Sequence, residues 1–275
     1  MIQNYKGVIQ NIQKELKEYL IKSKLKSLIL GVSGGIDSAL CAALAYPVCN
    51  ELGVKLHCRS ITIKTNKADE ILRAKNLGEA FGHTFKEVDL SETFDVIIPN
   101  IVEGFETTDK SEHNYKIRQG NVKARMRMLY LYELAAKHRG MVLSTDNYTE
   151  LLLGFWTLHG DVGDYGMIQN LWKTEVYAMA EYLVKEISNK KQSQSLNACI
   201  NAIPTDGLGI TNSDLDQIGA SSYQEVDEIL IKYLKNPNDK NVLNHKVVKR
   251  KIASEFKRNN PFNIPRNKIT DLGYF

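Results

Sequence analysis

One eight-residue string constrains this chain more than any other: Gly31-Val32-Ser33-Gly34-Gly35-Ile36-Asp37-Ser38. It ends a short apolar run, residues 27–32 (SLILGV), that reads as a buried parallel strand. It leads into residues 39–52, which read as a helix. A strand that breaks through paired glycines into a helix lets backbone N–H groups turn inward and cradle an anion. The start of the helix adds its partial positive charge. Ser33 and Ser38 can donate hydroxyl hydrogen bonds to phosphate oxygens. Asp37 is a poor neighbour for a bare phosphate, so the string implies a bridging Mg²⁺. No Gly-Lys-Ser/Thr follows, which excludes Walker A, and the absence of G-x-G-x-x-G disfavours a Rossmann dinucleotide site. Two adjacent glycines alone read equally well as a plain tight turn; the full S-G-G-x-D-S string at a strand–helix junction favours the anion loop.

Strand and helix patterns alternate around this loop. Residues 2–21 space Val8, Ile12, Leu16 and Leu20 along one helical face. Residues 55–63 and 84–88 read as further strands, with a helix over 67–81 between them. A long helix is expected over 121–138, followed by a strand at 140–144 (GMVLS). Such alternation predicts an α/β fold, a parallel sheet flanked by helices on both faces with right-handed crossovers. Beyond about residue 172 the pattern turns helical, at 174–187, 223–234 and 244–257. The polar stretch 188–197 (SNKKQSQSLN) reads as a surface insertion or mobile loop. No repeat or low-complexity linker divides residues 1–275, which are read as a single domain.

Several function classes fall away. The longest apolar runs, such as 27–32 and 151–156, are too short to span a bilayer. Lysines and glutamates fill the N-terminal stretch where a signal peptide would be apolar. Cys41, Cys49, Cys58 and Cys199 form no C-x-x-C pair, which suits free buried thiols in a reducing cytoplasm and no zinc site. A net charge of +4 fits an anionic small molecule without requiring nucleic acid. The densest basic run, 246–257, also holds Glu255 and apolar helix positions. The expectation is a cytoplasmic protein with neither a membrane nor a nucleic-acid partner.

The glycine string resembles the pyrophosphate loop of the ATP pyrophosphatase superfamily. Its members cleave ATP between the α and β phosphates, adenylate a carboxylate or carbonyl-type oxygen, and let a nitrogen or sulfur nucleophile displace AMP. Later segments resemble one family within it, the NAD synthetases. Gly120-Asn121-Val122-Lys123-Ala124-Arg125-Met126-Arg127-Met128 matches their G-N-V-K-A-R-x-R-M helix start. Ser144-Thr145-Asp146-Asn147-Tyr148-Thr149-Glu150 resembles G-T-D-x-x-x-E, and Thr157-Leu158-His159-Gly160-Asp161 resembles T-K-Y-G-D. Leu171-Trp172-Lys173-Thr174-Glu175-Val176, Pro204-Thr205-Asp206-Gly207-Leu208 and Ser254-Glu255-Phe256-Lys257-Arg258 resemble L-x-K-x-x-V, P-T-A-D-L and S-E-H-K-R. The resemblance runs in order over nearly the whole chain, and six ordered matches are far more specific than any one.

This resemblance implies an adenine nucleotide alpha hydrolase-like fold with a largely helical C-terminal part. It implies ATP binding by Gly31, Val32, Ser33, Gly34, Gly35, Ile36, Asp37 and Ser38, with Thr145, Lys173 and Thr205. It assigns Mg²⁺ to Asp37 and Glu150, since two carboxylates converging on phosphates need a cation between them. Asp37 and Lys173 are the implied catalytic pair. Arg125, Leu158, Asp164 and Lys257 are the implied contacts to the pyridine dinucleotide. Arg127 reads equally as an anion ligand or as part of a solvated basic helix face.

The implied reaction amidates deamido-NAD with ammonia through a nicotinyl adenylate, releasing pyrophosphate and AMP and giving NAD. Asp146 or Asp206 is the candidate to deprotonate ammonium. Glutamine-dependent relatives carry a nitrilase-like domain before the synthetase region. Here only about thirty residues precede the glycine loop, so the expectation is no N-terminal glutaminase domain and an external ammonia supply. Ammonia-dependent relatives are homodimers with the dinucleotide near the interface. Some positions depart from the family pattern: Asn147-Tyr148 replaces a His-Ala, Leu158 a substrate-contacting Lys, Ile61-Thr62-Ile63-Lys64 an R-L-P-x segment, and Phe256 a His. These departures keep amidation of nicotinate mononucleotide open as an alternative. A tRNA-modifying enzyme shares the loop but would need catalytic or metal-binding cysteines, which the spacing here does not offer. A non-catalytic nucleotide binder would be expected to lack Asp37, Glu150 or Lys173.

Overall fold

The apolar runs expected to be strands lie side by side. In the computed structural model, which describes residues 2–105, 109–110, 112–203 and 213–270, α1 (Tyr5–Ser23) leads into β1 (Ser27–Gly31), α2 (Ile36–Leu52), β2 (Lys55–Thr62), α3 (Ala68–Phe81) and β3 (Thr84–Asp89). Then come α4 (Ser91–Ile101), α5 (His113–Lys137), β4 (Gly140–Ser144), α6 (Tyr148–Leu153) and the short β5 (Tyr165–Gly166). The remainder is helical: α7 (Lys173–Glu186), α8 (Lys190–Ile200), α9 (Asp214–Ile218), α10 (Tyr223–Lys235), α11 (Lys240–Leu243), α12 (Lys246–Ala253) and α13 (Glu255–Arg258). The strands form one parallel sheet in the order β3-β2-β1-β4-β5.

Successive strand residues point to opposite faces, and the core divides accordingly. Leu28 and Leu30 of β1 join the larger core, with Leu40 and Leu44 of α2, Leu77 of α3, Met179 of α7 and Leu196 of α8. Ile29 faces the other way and packs with Ile61 and Val142 against Met128, Leu131 and Leu134 of α5. Helices therefore cover both faces, as the alternating pattern requires. β1 pairs with β2 on one side and β4 on the other. The chain thus leaves β1 in one direction and later returns on the opposite side. That divergence opens a crevice at the carboxyl ends of β1 and β4, where ligands of open α/β sheets bind.

The structure revises the sequence reading in three places. α5 begins at His113, eight positions before the expected start at 121, because Tyr115 is buried with Phe94 and Ile98 of α4. Arg125 and Arg127 therefore sit midway along a helix and receive nothing from its N-terminal partial charge. The helix expected over 244–257 is broken at Ser254 into α12 and α13. The third revision is the largest: residues 188–197, read as a loop, fall mostly in α8.

The reason is that α8 buries a polar face. Asn189 caps it by accepting from the N–H groups of Lys191 and Gln192. Gln192 Nε2 donates to Ala80 O at 2.9 Å and Ser195 Oγ to Asn76 O at 3.2 Å, both carbonyls of α3. Leu196, next to Ser195, is fully buried. Hydrogen bonds to a neighbouring helix replace the apolar stripe that periodicity looks for. Leu196→Ala is expected to lower unfolding stability by about 2–4 kcal/mol in a urea titration. A loop residue would change it by less than about 0.5 kcal/mol, and that result would rule out α8 as a packed helix.

All four cysteines are free and buried. Among the described residues no helix is long and apolar enough to cross a membrane.

Candidate active site

The loop after β1 is tied together by its own serines. Ser38 Oγ accepts from Ser33 N at 3.3 Å and donates to Gly35 O at 3.1 Å. Ser33 Oγ accepts from Gly35 N at 3.2 Å. Gly35 occupies the N-cap of α2 with no side-chain cap, so the first turn of that helix keeps its N–H groups for an anion. Arg73 of α3 clasps the loop from behind, donating from Nε to Gly34 O at 3.2 Å and from Nη1 to Asp69 at 2.7 Å.

Three helix starts bring the charged groups together. Asp37 lies in the first turn of α2, Glu150 in the first turn of α6, and Lys173 opens α7. Lys173 Nζ lies 2.5 Å from Asp37 Oδ2 and 3.0 Å from Glu150 Oε1, with its side chain 2% exposed. Asn147 closes the group. Its side chain accepts from Glu150 N at 3.0 Å as the cap of α6 and donates from Nδ2 to Asp37 Oδ1 at 2.9 Å. Glu150 completes a capping box by accepting from Asn147 N at 3.3 Å. The Asn at 147, a departure from the family pattern, is thus the link between the two carboxylate-bearing helices.

Acid is in excess here. Asp37 and Glu150 share the ammonium of Lys173, Asp146 lies beside them, and Asp161 is drawn toward Lys257 and Arg127. Burial pushes Glu150 upward against the pull of Lys173. Burial also raises Asp146, with Asp161 adding repulsion, and it raises Asp161 itself. Burial opposes the charge on Lys173, but Asp37 and Glu150 more than offset it and hold the amine well above its usual range. Such under-neutralised carboxylates suit a further cation. Among the described residues no three His, Cys, Asp or Glu side chains form a metal cluster. Asp37 and Glu150 do converge on one cationic point, the Lys173 ammonium.

A cleft of about 270 Å³ joins these parts, lined by the glycine loop, Thr145, Asp146, Glu150, Asp161 and Lys173. The opposite wall brings residues that no motif singled out, Arg59, Asn66 and Arg73, together with Arg127. Arg127 donates to Ile61 O and to Asn66 Oδ1, both at 3.2 Å, and so faces the cleft rather than solvent. Arg59 is 8% exposed and its buried Nε has no hydrogen-bond partner in the structure. The available signal was a charged residue in the middle of a run read as a strand.

The implied dinucleotide contacts lie elsewhere. Arg125 Nε donates to Leu158 O at 3.2 Å, so Leu158 contributes its carbonyl. Asp164 accepts from Tyr132 Oη at 2.8 Å and from Val142 N at 2.9 Å. Arg125, Leu129 and Tyr132 share one exposed face of α5. Lys257 donates to the carbonyls of Gly154, at 2.7 Å, and Trp156. It borders a second cavity of about 350 Å³ that also touches Asp146. Thr205 and Asp206 lie outside the described residues.

Residues 8–261 match the family model for NAD synthase. This chain belongs to the NAD synthase family. An NH₃-dependent NAD⁺ synthetase from Finegoldia magna is 32% identical over 259 residues, covering 92% of this chain and 97% of the relative. One from Thermoplasma acidophilum is 32% identical over 271 residues, covering 96% and 99%. Among solved structures, an NMN synthetase from Francisella tularensis shares the fold with a TM-score of 0.76 at 23% identity, over 94% of this chain and 97% of that one. The NAD synthase family thus accounts for the sheet order and for the motif order together.

Proposed function

We propose that this chain catalyses the ATP-dependent amidation of deamido-NAD by ammonia, giving NAD, AMP and pyrophosphate. The observation that carries this reading is the buried Asp37–Lys173–Glu150 cluster at the mouth of an anion loop, in an NAD synthase chain. The loop N–H groups and Lys173 hold the β and γ phosphates, leaving the α-phosphorus facing the nicotinate carboxylate. A carboxylate oxygen attacks that phosphorus, the α–β bridging P–O bond breaks, and pyrophosphate leaves with its charge met by Lys173 and the loop. Mg²⁺ held by Asp37, Glu150 and the phosphates would neutralise charge in this step. Ammonia then attacks the acyl carbon of the adenylate, AMP departs, and Asp146 takes the proton released from nitrogen. A buried carboxyl raised above its usual range is matched to that task.

The reading includes a cytoplasmic homodimer that works as a single domain on free ammonia. The four free, buried thiols support a reducing compartment. The exposed Leu129 and Tyr132, on the same face of α5 as Arg125, support a second copy against that helix.

Leu158 favours one competing substrate, nicotinate mononucleotide. Where many NAD synthetases present a lysine, this chain offers only a backbone carbonyl. Release of AMP should be measured with Mg-ATP and ammonium, comparing deamido-NAD with nicotinate mononucleotide at equal concentration. Faster turnover of deamido-NAD, with NAD as product, is the expected result. Preference for the mononucleotide would move the specificity and keep the chemistry, and inertness of both acids would overturn the assignment.

A further inference from the structure

A helix outside every recognised motif holds the catalytic lysine at both ends. α10 carries Asp227 and, one turn earlier, Tyr223. The Tyr223 ring centroid lies 5.1 Å from Lys173 Nζ. Asp227 grips the other end, at the backbone. Thr149 Oγ1 donates to Asp227 Oδ1 at 2.5 Å. Thr174 donates to Oδ2 twice, from N at 3.0 Å and from Oγ1 at 2.8 Å. Thr149 Oγ1 in turn accepts from Lys173 N at 2.9 Å. Thr149 precedes Glu150 and Thr174 follows Lys173. One carboxylate therefore joins the first turn of α6 to the first turn of α7, the two turns that present Glu150 and Lys173.

Asp227 is 3% exposed, and the donors it accepts from are all neutral. A buried carboxylate without a cation is a costly way to join two helices. Its two oxygens do what an amide could not do equally: both accept, so three donors from two helices are fixed at once. The orientation they fix matters because Lys173 reaches Asp37 and Glu150 through four flexible methylenes. A small rotation of its backbone would move the ammonium off the pair.

We propose that Asp227 is the positioning residue for Lys173 in the adenylation half-reaction, acting through Thr149 and Thr174. This inference rests on the function proposed above. It makes α10, a helix of the C-terminal part, a working component of the phosphate end of the site.

The test separates the two half-reactions. Pyrophosphate formation is followed by rapid quench with Mg-ATP and deamido-NAD in the absence of ammonium. Conversion of the preformed adenylate is then followed after ammonium is added. Asp227→Ala is expected to slow the first step about 10–100-fold. Asp227→Asn, which keeps one acceptor for Thr174 and loses the other, should recover only part of that loss. The second step and the KM for deamido-NAD should stay within about twofold of the parent. Thr174→Val removes one of the contacts without emptying the site, and it carries the test if Asp227→Ala fails to fold. Folded variants with an undiminished first step would overturn the proposal, as would equal slowing of both steps. Lys173→Met is the control. Loss of the first step in that variant with no loss in the Asp227 and Thr174 variants defeats the positioning role alone. An unaffected Lys173→Met defeats the role assigned to the lysine itself.

Discussion

Lys173→Met is expected to cut pyrophosphate release by about 10²–10³-fold and to weaken the folded state by about 3–5 kcal/mol at neutral pH. Both effects come from one geometry. The ammonium is 2% exposed and lies within hydrogen-bond distance of Asp37 and Glu150. Methionine has a similar volume, so packing survives, but two buried carboxylates then face each other without their cation. Burial already raises Glu150 even with Lys173 pulling it down, so removing the lysine raises it further. An acid whose folded value exceeds its unfolded value binds extra protons in the folded state, and stability then falls as pH rises between the two values. The deficit of the variant should therefore be smaller near pH 5 than near pH 8. Urea midpoints at both pH values, alongside a rapid-quench assay, check the two effects together. A deficit that grew on acidification would contradict the placement of Lys173 between the carboxylates.

What the sequence made legible follows from where its physics is local. β1, the glycine loop and the start of α2 depend on contiguous residues, and the S-G-G-x-D-S string announced them. Asp37, Glu150 and Lys173 lie in separate segments that only the family resemblance grouped; the ion pairs between them are a tertiary fact. Asn147, which bridges Asp37 and Glu150, stood out merely as a departure from the family pattern. α8 was misread because Gln192 and Ser195 bury through hydrogen bonds to α3, which hydropathy cannot register. Arg59 and Arg73 were missed because a single arginine on a strand or helix carries no motif, and only the crevice between β1 and β4 gathers them with Arg127. Asp227 shows the same limit in its strongest form. It acts on residues 53 and 78 positions away, and no local pattern points to them.

Gly34→Ala is expected to destabilise the fold by about 2–5 kcal/mol and to raise the KM for ATP by more than about tenfold. Gly34 has φ +81°, a conformation that side chains rarely adopt. A Cβ added there would lie 2.6 Å from Glu70 O and 3.1 Å from both Ala74 N and Arg73 Cβ. Two of those neighbours are α3 backbone atoms, which cannot rotate aside, so the loop or the helix must move. Gly53 supplies the control, since it also has a positive φ, +65°, but an added Cβ would meet nothing within 4 Å. Gly53→Ala carries the conformational strain alone, about 1–2 kcal/mol, far from the nucleotide. The difference between the variants isolates the close approach of α3 to the loop. If α3 presses on Gly34 as a rigid wall, the Gly34 variant loses both more stability and its grip on ATP, while the Gly53 variant keeps a normal KM. Equal losses of stability in the two, with ATP binding intact in both, would mean that the loop can shift away from α3 without cost. The anion cradle would then be a flexible strap instead of a preorganised site, and the charge stabilisation assigned to its N–H groups would have to come from Lys173 alone.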